Sequence, residues 1–191
     1  MMGTEQAAGS VVRGEVVLVD EHDRELGPMD KLEAHRNGGR LHRAFSVFLY
    51  DRSGRHLLQR RATGKYHFGG LWSNACCSHP GVGEDVVASA ERRLAEELGI
   101  RGVALRRVET FLYKAHDGVS GLTEHELDHV LVGRFDGEPI PNPGEVGEWR
   151  WVDDAALRRE MAESPERFTP WFGIALGHAP DPAAAAVGDQ G

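Results

Sequence analysis

Apolar and polar residues alternate in short stretches along most of the chain, and this pattern predicts strands more often than helices. The β-branched stretch 11–19 and the aromatic stretch 41–50 are both typical of strands. The sequence DRSG at 51–54 predicts a hairpin turn, with 56–60 as the returning strand. Further strands are predicted over 103–113, 127–135 and 148–152.

Helical periodicity is clearest over residues 84–98. One side of this helix is apolar, and Gly99 ends it. The apolar residues on that side are Val86, Val87, Ala90, Leu94 and Leu98. Shorter helices are predicted over 31–36 after the capping residue Asp30, over 154–161 after Asp153, and over 168–176.

The remaining stretches are predicted to be turns and loops. Gly27-Pro28 predicts a turn, the glycine-rich stretch 61–73 a loop, and the polar stretch 114–123 a connection between two strands. Strands that alternate unevenly with a few helices favour an α+β sandwich with a mixed β-sheet.

The length and composition of the chain are typical of a single globular domain. Hydrophobic residues make up 40% and charged residues 27% of the 191 residues, as expected for a folded soluble protein. The two ends, 1–10 and 179–191, are rich in small residues and are expected to be disordered, which leaves 11–178 as a single domain.

The same composition argues against several classes of function. The net charge of −8 argues against non-specific nucleic-acid binding, but a local basic cluster can still bind an anionic substrate. No apolar run is long enough to span a membrane, and the N-terminus lacks the order of a secretory leader. The two cysteines are neighbours, so a disulfide framework is not expected and a cytoplasmic location is predicted.

Three histidines and two glutamates are candidates for a metal site. His35 and His42 flank an Asn-Gly-Gly turn, and His79 follows the cysteines. If the stretch TEHE is extended, Glu124 and Glu126 point to the same face. Imidazoles with carboxylates would suit Mn, Zn or Fe. The alternative is an exposed edge strand protected by charges, and spacing alone favours neither.

A basic cluster and the charged helix indicate phosphate binding. Arg61 and Lys65 lie in the glycine-rich loop, and Lys31 lies near the first histidine. Arg93 and Glu97 are four residues apart on the helix, so they share a face. They form either a solvated ion pair or a pair in which the carboxylate holds Mg²⁺ on a phosphate that the arginine also binds.

The adjacent cysteines add a candidate nucleophile or proton carrier. Cys77 lies beside His79 and near predicted cations, which would favour its thiolate, whereas Cys76 would point the other way and pack in the core. Trp171 belongs to a late segment that could close over a site, where an indole face stabilises a cation.

The stretch Glu84 to Ile100 resembles the Nudix signature, Gly-x5-Glu-x7-Arg-Glu-U-x-Glu-Glu-x-Gly-U, in which U is aliphatic. The positions in register are Glu84, Arg92, Leu94, Glu96, Glu97, Gly99 and Ile100. Two positions differ, because Ser78 replaces the first glycine and Arg93 replaces a glutamate that Nudix hydrolases use for metal.

The rest of the chain is similar to type I isopentenyl-diphosphate Δ-isomerases, a divergent branch of the Nudix superfamily. The similarity spans about residues 11–175 in the right order. Its segments are KLEAH at 31–35, RLHRAF at 40–45, RRATGK at 60–65, LWSNACCSHP at 71–80, the helix at 84–100, FLYKA at 111–115, TEHE at 123–126 and FTPWF at 168–172. The resemblance implies a Nudix-like α/β/α sandwich. The chain is expected to be a monomer or a homodimer.

The resemblance also implies a role for each candidate residue. The divalent-metal ligands, for Mn²⁺ or Zn²⁺, would be His35, His42, His79, Glu124 and Glu126. Glu97 would bind Mg²⁺ carried by the substrate diphosphate. The diphosphate contacts would be Lys31, Arg61, Lys65 and Arg93. Cys77 and Glu126 would be the catalytic pair, with Tyr113 supporting the glutamate and Trp171 the cation.

The implied reaction converts isopentenyl diphosphate to dimethylallyl diphosphate through a tertiary carbocation. Glu126 with Tyr113 is expected to protonate the alkene, and Cys77 to remove the C2 proton. The main alternative is a Nudix pyrophosphohydrolase acting on a nucleoside diphosphate derivative. Arg93 argues against this alternative, because a hydrolase would have glutamate at this position. A third alternative is a non-catalytic metal- or phosphate-binding module, which would leave the catalytic pair without a purpose.

Overall fold

The computed structural model describes residues 14–65 and 67–182; the predicted N-terminal tail and most of the predicted C-terminal tail lie outside these ranges. The strands are β1 (Glu15–Val19), β2 (Glu25–Asp30), β3 (His42–Tyr50), β4 (His56–Arg61), β5 (Trp72–Ser73), β6 (Cys76–Ser78), β7 (Arg106–His116), β8 (Thr123–Arg134) and β9 (Val146–Val152). The helices are α1 (Lys31–His35), α2 (Val86–Leu98), α3 (Asp154–Glu163) and α4 (Pro170–His178), with a 3₁₀ turn at Pro165–Arg167.

The strand β3 organises a mixed sheet. It runs parallel to β8 over its whole length and pairs antiparallel with β6. The other strand pairs, including β7 with β8 and β9 with β4, are antiparallel. The parallel pair needs a long crossover, and that crossover contains α2.

Helices cover both faces of the sheet. On one face, Leu94 and Leu98 of α2 pack with apolar residues of β3 such as Val47. On the other face, Leu157 of α3 and Phe172 of α4 pack with Phe48. The predicted α+β, α/β/α sandwich with a mixed sheet is therefore confirmed.

The principal helix begins and ends close to its predicted bounds. Asp85 caps α2 by accepting hydrogen bonds from two backbone N–H groups, so the helix begins at Val86. Gly99 ends it in the left-handed conformation with φ of 67°, and a side chain there would also collide with the Ile140 backbone.

Three local predictions are wrong. The predicted turn at Gly27-Pro28 lies inside β2, which is tolerated because β2 is an edge strand of the sheet formed by the described residues. The loop 61–73 contains β5, and the connection 114–123 is shorter than predicted because β7 continues to His116. Long antiparallel pairing with β8 holds those polar residues in a ladder that their own propensities do not predict.

Two further observations concern the chain ends and membranes. The described part of the predicted C-terminal tail packs on the domain, where the Tyr50 hydroxyl donates a hydrogen bond to the Pro180 carbonyl. Among the helices of residues 14–65 and 67–182, none is long and apolar enough to cross a membrane.

Candidate active site

A cavity of about 50 Å³ brings together residues that are far apart in sequence. Its walls come from α1, the loop after β4, β6, α2, β7, β8 and α4. The lining residues are Lys31, Arg61, Lys65, His67, Cys77, Ser78, His79, Arg93, Glu97, Tyr113, Glu124, Glu126 and Trp171. All the predicted site residues lie here except His35 and His42, which are fully buried next to the lining glutamates.

Sheet register creates one row of functional side chains. His42 of β3 lies directly opposite Glu126 of β8, and Glu126 lies directly opposite Tyr113 of β7. On the other edge of β3, Ser46 lies opposite Cys77 of β6. Since side chains alternate along a strand, these pairings place all five residues on the same face of the sheet.

The five predicted metal ligands converge. One donor atom from each of His35, His42, His79, Glu124 and Glu126 lies within 4.8 Å of the others. Nε2 of His35 is 2.9 Å from Oε2 of Glu124, and Nε2 of His79 is 2.7 Å from Oε1 of Glu126. The alternative of an exposed edge strand is wrong, because β8 lies between β3 and β7 and both glutamates are buried.

Backbone carbonyls select the tautomer of two of these imidazoles. Nδ1 of His35 donates to the Lys31 carbonyl at 2.5 Å, and Nδ1 of His42 donates to the Arg40 carbonyl at 2.7 Å. In the neutral imidazoles, each Nε2 atom then carries the lone pair, and each lies near a carboxylate. Nitrogen and oxygen lone pairs that face one another in a dry site repel each other unless a cation lies between them.

The charge states suit a divalent cation. Burial alone would raise the pKa of Glu124, but its contacts with His35 and His67 lower it well below its usual value. Burial and the charge of Glu124 would raise the pKa of Glu126, but its contacts with His42 and His79 lower it overall. Burial and the nearby Lys31 lower the pKa of His79 to about 3. Ionised carboxylates and neutral imidazoles are the forms that bind metals.

His35 differs from His79 in its proton affinity. Burial lowers the pKa of His35, but the bond to Glu124 outweighs it and the net shift is upward. A proton therefore competes with a metal at this imidazole.

Tyr113 and Glu126 lie opposite each other in β7 and β8, and their side chains are in direct contact. The Tyr113 hydroxyl donates to Oε2 of Glu126, while His79 holds Oε1. Burial and the neighbouring glutamates raise the pKa of Tyr113 well above its usual value, so the phenol keeps its proton.

Cys77 faces the cavity in a polar surrounding. Its thiol donates to Oδ1 of Asn74 at 2.9 Å, and Nε1 of Trp171 donates to its sulfur at 3.2 Å. Burial, followed by the charge of Asp128, raises the pKa of Cys77 to about 12, so the structure does not support the favoured thiolate suggested by the sequence. Cys76 packs in the opposite core as predicted.

Ser46 and Asp128 extend this polar surrounding. The Ser46 hydroxyl donates to Oδ2 of Asp128 at 2.6 Å and lies 3.6 Å from the Cys77 sulfur. Burial and the charge of Glu126 raise the pKa of Asp128 to about 8.

The predicted diphosphate contacts form one cationic wall. Arg93 donates to Oε1 of Glu97 at 2.6 Å, and the Glu97 side chain is only 5% exposed. The pair is therefore not the solvated surface pair that was the alternative. Lys65 pairs with Glu145, and burial lowers the pKa of Lys65 to about 8.

Other signature positions lie outside the cavity. Arg92 forms two hydrogen bonds with Glu84 and one with Glu96, on the exposed side of α2. The arginine is the main reason that the pKa of Glu84 falls to about 2. This network fastens the preceding loop to the helix.

The sequence interpretation missed several residues of the site. His67 contacts Glu124, and Gln59 donates to Glu97 at 3.2 Å. Asn74, Ser46 and Asp128 surround the thiol. The period-two spacing of 124, 126 and 128 could have indicated Asp128, and the position of His67 beside Lys65 could have indicated the histidine.

Comparison with known proteins identifies the family. Residues 40–172 match the model of the NUDIX domain. The chain is 50% identical over 161 residues to "Isopentenyl-diphosphate Delta-isomerase" of Nocardia farcinica, covering 84% of this chain and 91% of that one. The chain belongs to the isopentenyl-diphosphate Delta-isomerase family of Nudix proteins.

Two further isomerase relatives support the assignment. The family member from Aromatoleum aromaticum named "Isopentenyl-diphosphate Delta-isomerase 2" is 48% identical over 162 residues, with 85% of this chain and 84% of that one covered. The one from Streptomyces griseus is 49% identical, with 85% and 81% covered.

Solved structures show the same Nudix fold. DR0079 from Deinococcus radiodurans superposes with a TM-score of 0.70 at 20% identity, covering 87% of this chain and 99% of that one. A MutT NUDIX hydrolase from Burkholderia pseudomallei has a TM-score of 0.50 at 25% identity, with 71% and 98% covered.

Proposed function

We propose that this Nudix protein isomerises isopentenyl diphosphate to dimethylallyl diphosphate by a 1,3-allylic proton shift. The observation that carries the proposal is one cavity in which a thiol, a phenol-bonded carboxylate and a cationic wall meet. Relatives that cover most of the chain bear the name of this activity.

The reaction needs one proton donor and one proton acceptor in a water-poor site. An unactivated alkene is a weak base, and its protonation at C4 gives a tertiary cation at C3 that loses a proton from C2. Cys77 and Glu126 supply the two proton-carrying groups, with Tyr113 bonded to the carboxylate. Water excluded by the surrounding side chains cannot trap the cation.

The resting protonation states correspond to one half of the catalytic cycle. The Cys77 thiol carries a proton and the Glu126 carboxylate does not, so the pair is set to donate from sulfur and accept at oxygen. The sequence analysis predicts the opposite assignment, in which Glu126 with Tyr113 donates the proton and Cys77 accepts one. The face of the alkene that each group meets decides which assignment applies to the forward reaction and which to the reverse reaction.

The cationic wall binds the diphosphate. Lys31, Arg61, Lys65 and Arg93 line one side of the cavity, where arginine offers paired N–H donors and lysine a point charge. Binding energy from the diphosphate holds a small hydrocarbon tail in place. The Trp171 indole lines the same cavity, and an indole face stabilises a cation by about 0.5–2 kcal/mol.

Metal binding follows from the donor set. A divalent cation such as Mn²⁺ or Zn²⁺ fits the three imidazoles and two carboxylates, and Glu97 is assigned to a Mg²⁺ that accompanies the diphosphate. A cation bound at the five donors supplies positive charge that orients Glu126 and tunes its proton affinity.

Arg93 weighs against the hydrolase alternative. A hydrolase would hold a metal with the glutamate that belongs at this position, whereas Arg93 offers a cation to phosphate oxygens. The Nudix match by itself is compatible with both activities, and the relatives' names favour the isomerase.

Incubation with isopentenyl diphosphate in D₂O tests the proposal. The expected result is deuterium entry at the methyl and methylene positions, observed by NMR, without phosphate release. Cys77→Ser serves as the inactive control. Release of phosphate from prenyl or nucleoside diphosphates without deuterium entry would instead identify a hydrolase.

A further inference from the structure

The residue His67 lies at the metal centre but outside the convergent donor set. It is 7% exposed, lines the cavity and contacts Oε1 of Glu124 through Nε2. The five donors that converge within 4.8 Å of one another do not include it. Its position therefore differs from that of a direct ligand.

The two oxygens of Glu124 face two imidazoles of opposite character. The Nδ1–H of His35 donates to the Lys31 carbonyl, so in the neutral imidazole the Nε2 atom that faces Oε2 carries the lone pair. A cation between these two atoms removes their repulsion. His67 lies outside the convergent set, so a cation held by the five donors would not separate its Nε2 from Oε1. The close contact there therefore requires an N–H donor on Nε2 of His67.

The loop that carries His67 is held in an unusual conformation. Phe68, the next residue, has φ of 50°, which is uncommon for a bulky side chain. The His67 ring packs edge-on to Phe68 at 5.3 Å, and Phe68 packs edge-on to Trp171 at 5.2 Å. Arg61 donates to the His67 carbonyl at 3.3 Å. The imidazole is therefore held by its ring contact with Phe68, and the backbone that carries it is held by Arg61.

We propose that His67 is a positioning residue for the metal centre. Its Nε2–H holds Oε1 of Glu124 and so fixes the carboxylate in the orientation in which Oε2 faces Nε2 of His35. The inference rests on the metal centre proposed above. Because partners of metal ligands typically contribute about 10–100-fold to metal affinity, loss of His67 should weaken binding by about that factor.

The test compares metal binding by purified, metal-free proteins. Wild type, His67→Ala, His67→Gln and His125→Gln are titrated with Mn²⁺, and free Mn²⁺ is followed by EPR. His125 is the matched control, because it lies between the two glutamates in β8, outside the convergent set, with Nδ1 3.3 Å from the Gly39 carbonyl. Circular dichroism and thermal unfolding verify that each variant folds.

The expected outcome is one Mn²⁺ per chain for wild type and His125→Gln with equal Kd. His67→Ala should raise Kd by about 10–100-fold, and His67→Gln should recover part of the loss because its amide offers an N–H near the same place. With saturating Co²⁺, wild type and His67→Ala should have the same visible absorption, since the number of ligands is unchanged.

Three outcomes would overturn the inference in distinguishable ways. Equal Kd for wild type and His67→Ala would exclude the positioning role and leave the metal centre intact. A changed Co²⁺ spectrum in His67→Ala would make His67 a direct ligand instead. Failure of the wild type itself to bind Mn²⁺ or Co²⁺ would remove both the metal centre and the role of His67.

Discussion

The Tyr113 hydroxyl donates a hydrogen bond to Oε2 of Glu126, and the two residues lie directly opposite each other in β7 and β8. Because strand pairing fixes their separation, the phenol reaches the carboxylate without bending either backbone. Removal of the hydroxyl therefore changes one contact in an otherwise fixed site.

Tyr113→Phe should lower kcat while leaving KM for isopentenyl diphosphate nearly unchanged. A hydrogen bond to a charged group contributes about 1.5–3 kcal/mol, which corresponds to roughly 10–100-fold in rate. Steady-state kinetics measure the effect. Unchanged kcat would show that Glu126 acts without the phenol.

The adjacent cysteines should differ sharply in their roles. Cys77→Ser should abolish isomerisation with the fold retained, because a serine hydroxyl is a much poorer proton carrier than a thiol. Cys76→Ala should keep near wild-type turnover and lose about 1–2 kcal/mol of stability, since it only removes buried volume. Turnover assays and denaturant unfolding separate the two, and an active Cys77→Ser would refute the assignment.

The adjacent arginines of α2 provide a second matched pair. Arg93→Ala should raise KM roughly 10-fold or more, because it removes a charged hydrogen-bond donor from the diphosphate side. Arg92→Ala should leave KM unchanged, since Arg92 bonds Glu84 and Glu96 on the exposed side of the helix. Equal effects of the two substitutions on KM would contradict the predicted contact.

Lys65 should make substrate capture depend on pH. Burial lowers its pKa to about 8, so its positive charge is present below that pH and is lost above it. The ratio kcat/KM, which reports the free enzyme, should therefore fall as pH rises through about 8.

Lys65→Arg supplies the control for this profile. Arginine stays charged across the range, so the fall should move to higher pH. A profile identical to that of wild type would show that another group causes the fall.

The amino-acid sequence by itself determined the identities and local supports of the site. The helix α2 with its Gly99 stop, the strand β3 and the set of His and Glu side chains that the resemblance assigns to a metal site all follow from periodicity, capping chemistry and the family resemblance. These features depend on residues that are near in sequence or on positions that match a known pattern, which is why they could be predicted.

Only the tertiary structure decided which distant residues meet and in what state. The parallel pairing of β3 with β8 places His42 beside Glu126, and no local pattern specifies that register. The same packing buries Cys77 and gives it a high pKa, and brings His67 to Glu124. Burial and through-space contacts set these properties, because desolvation and Coulomb interactions depend on the surroundings in three dimensions and not on neighbours along the chain.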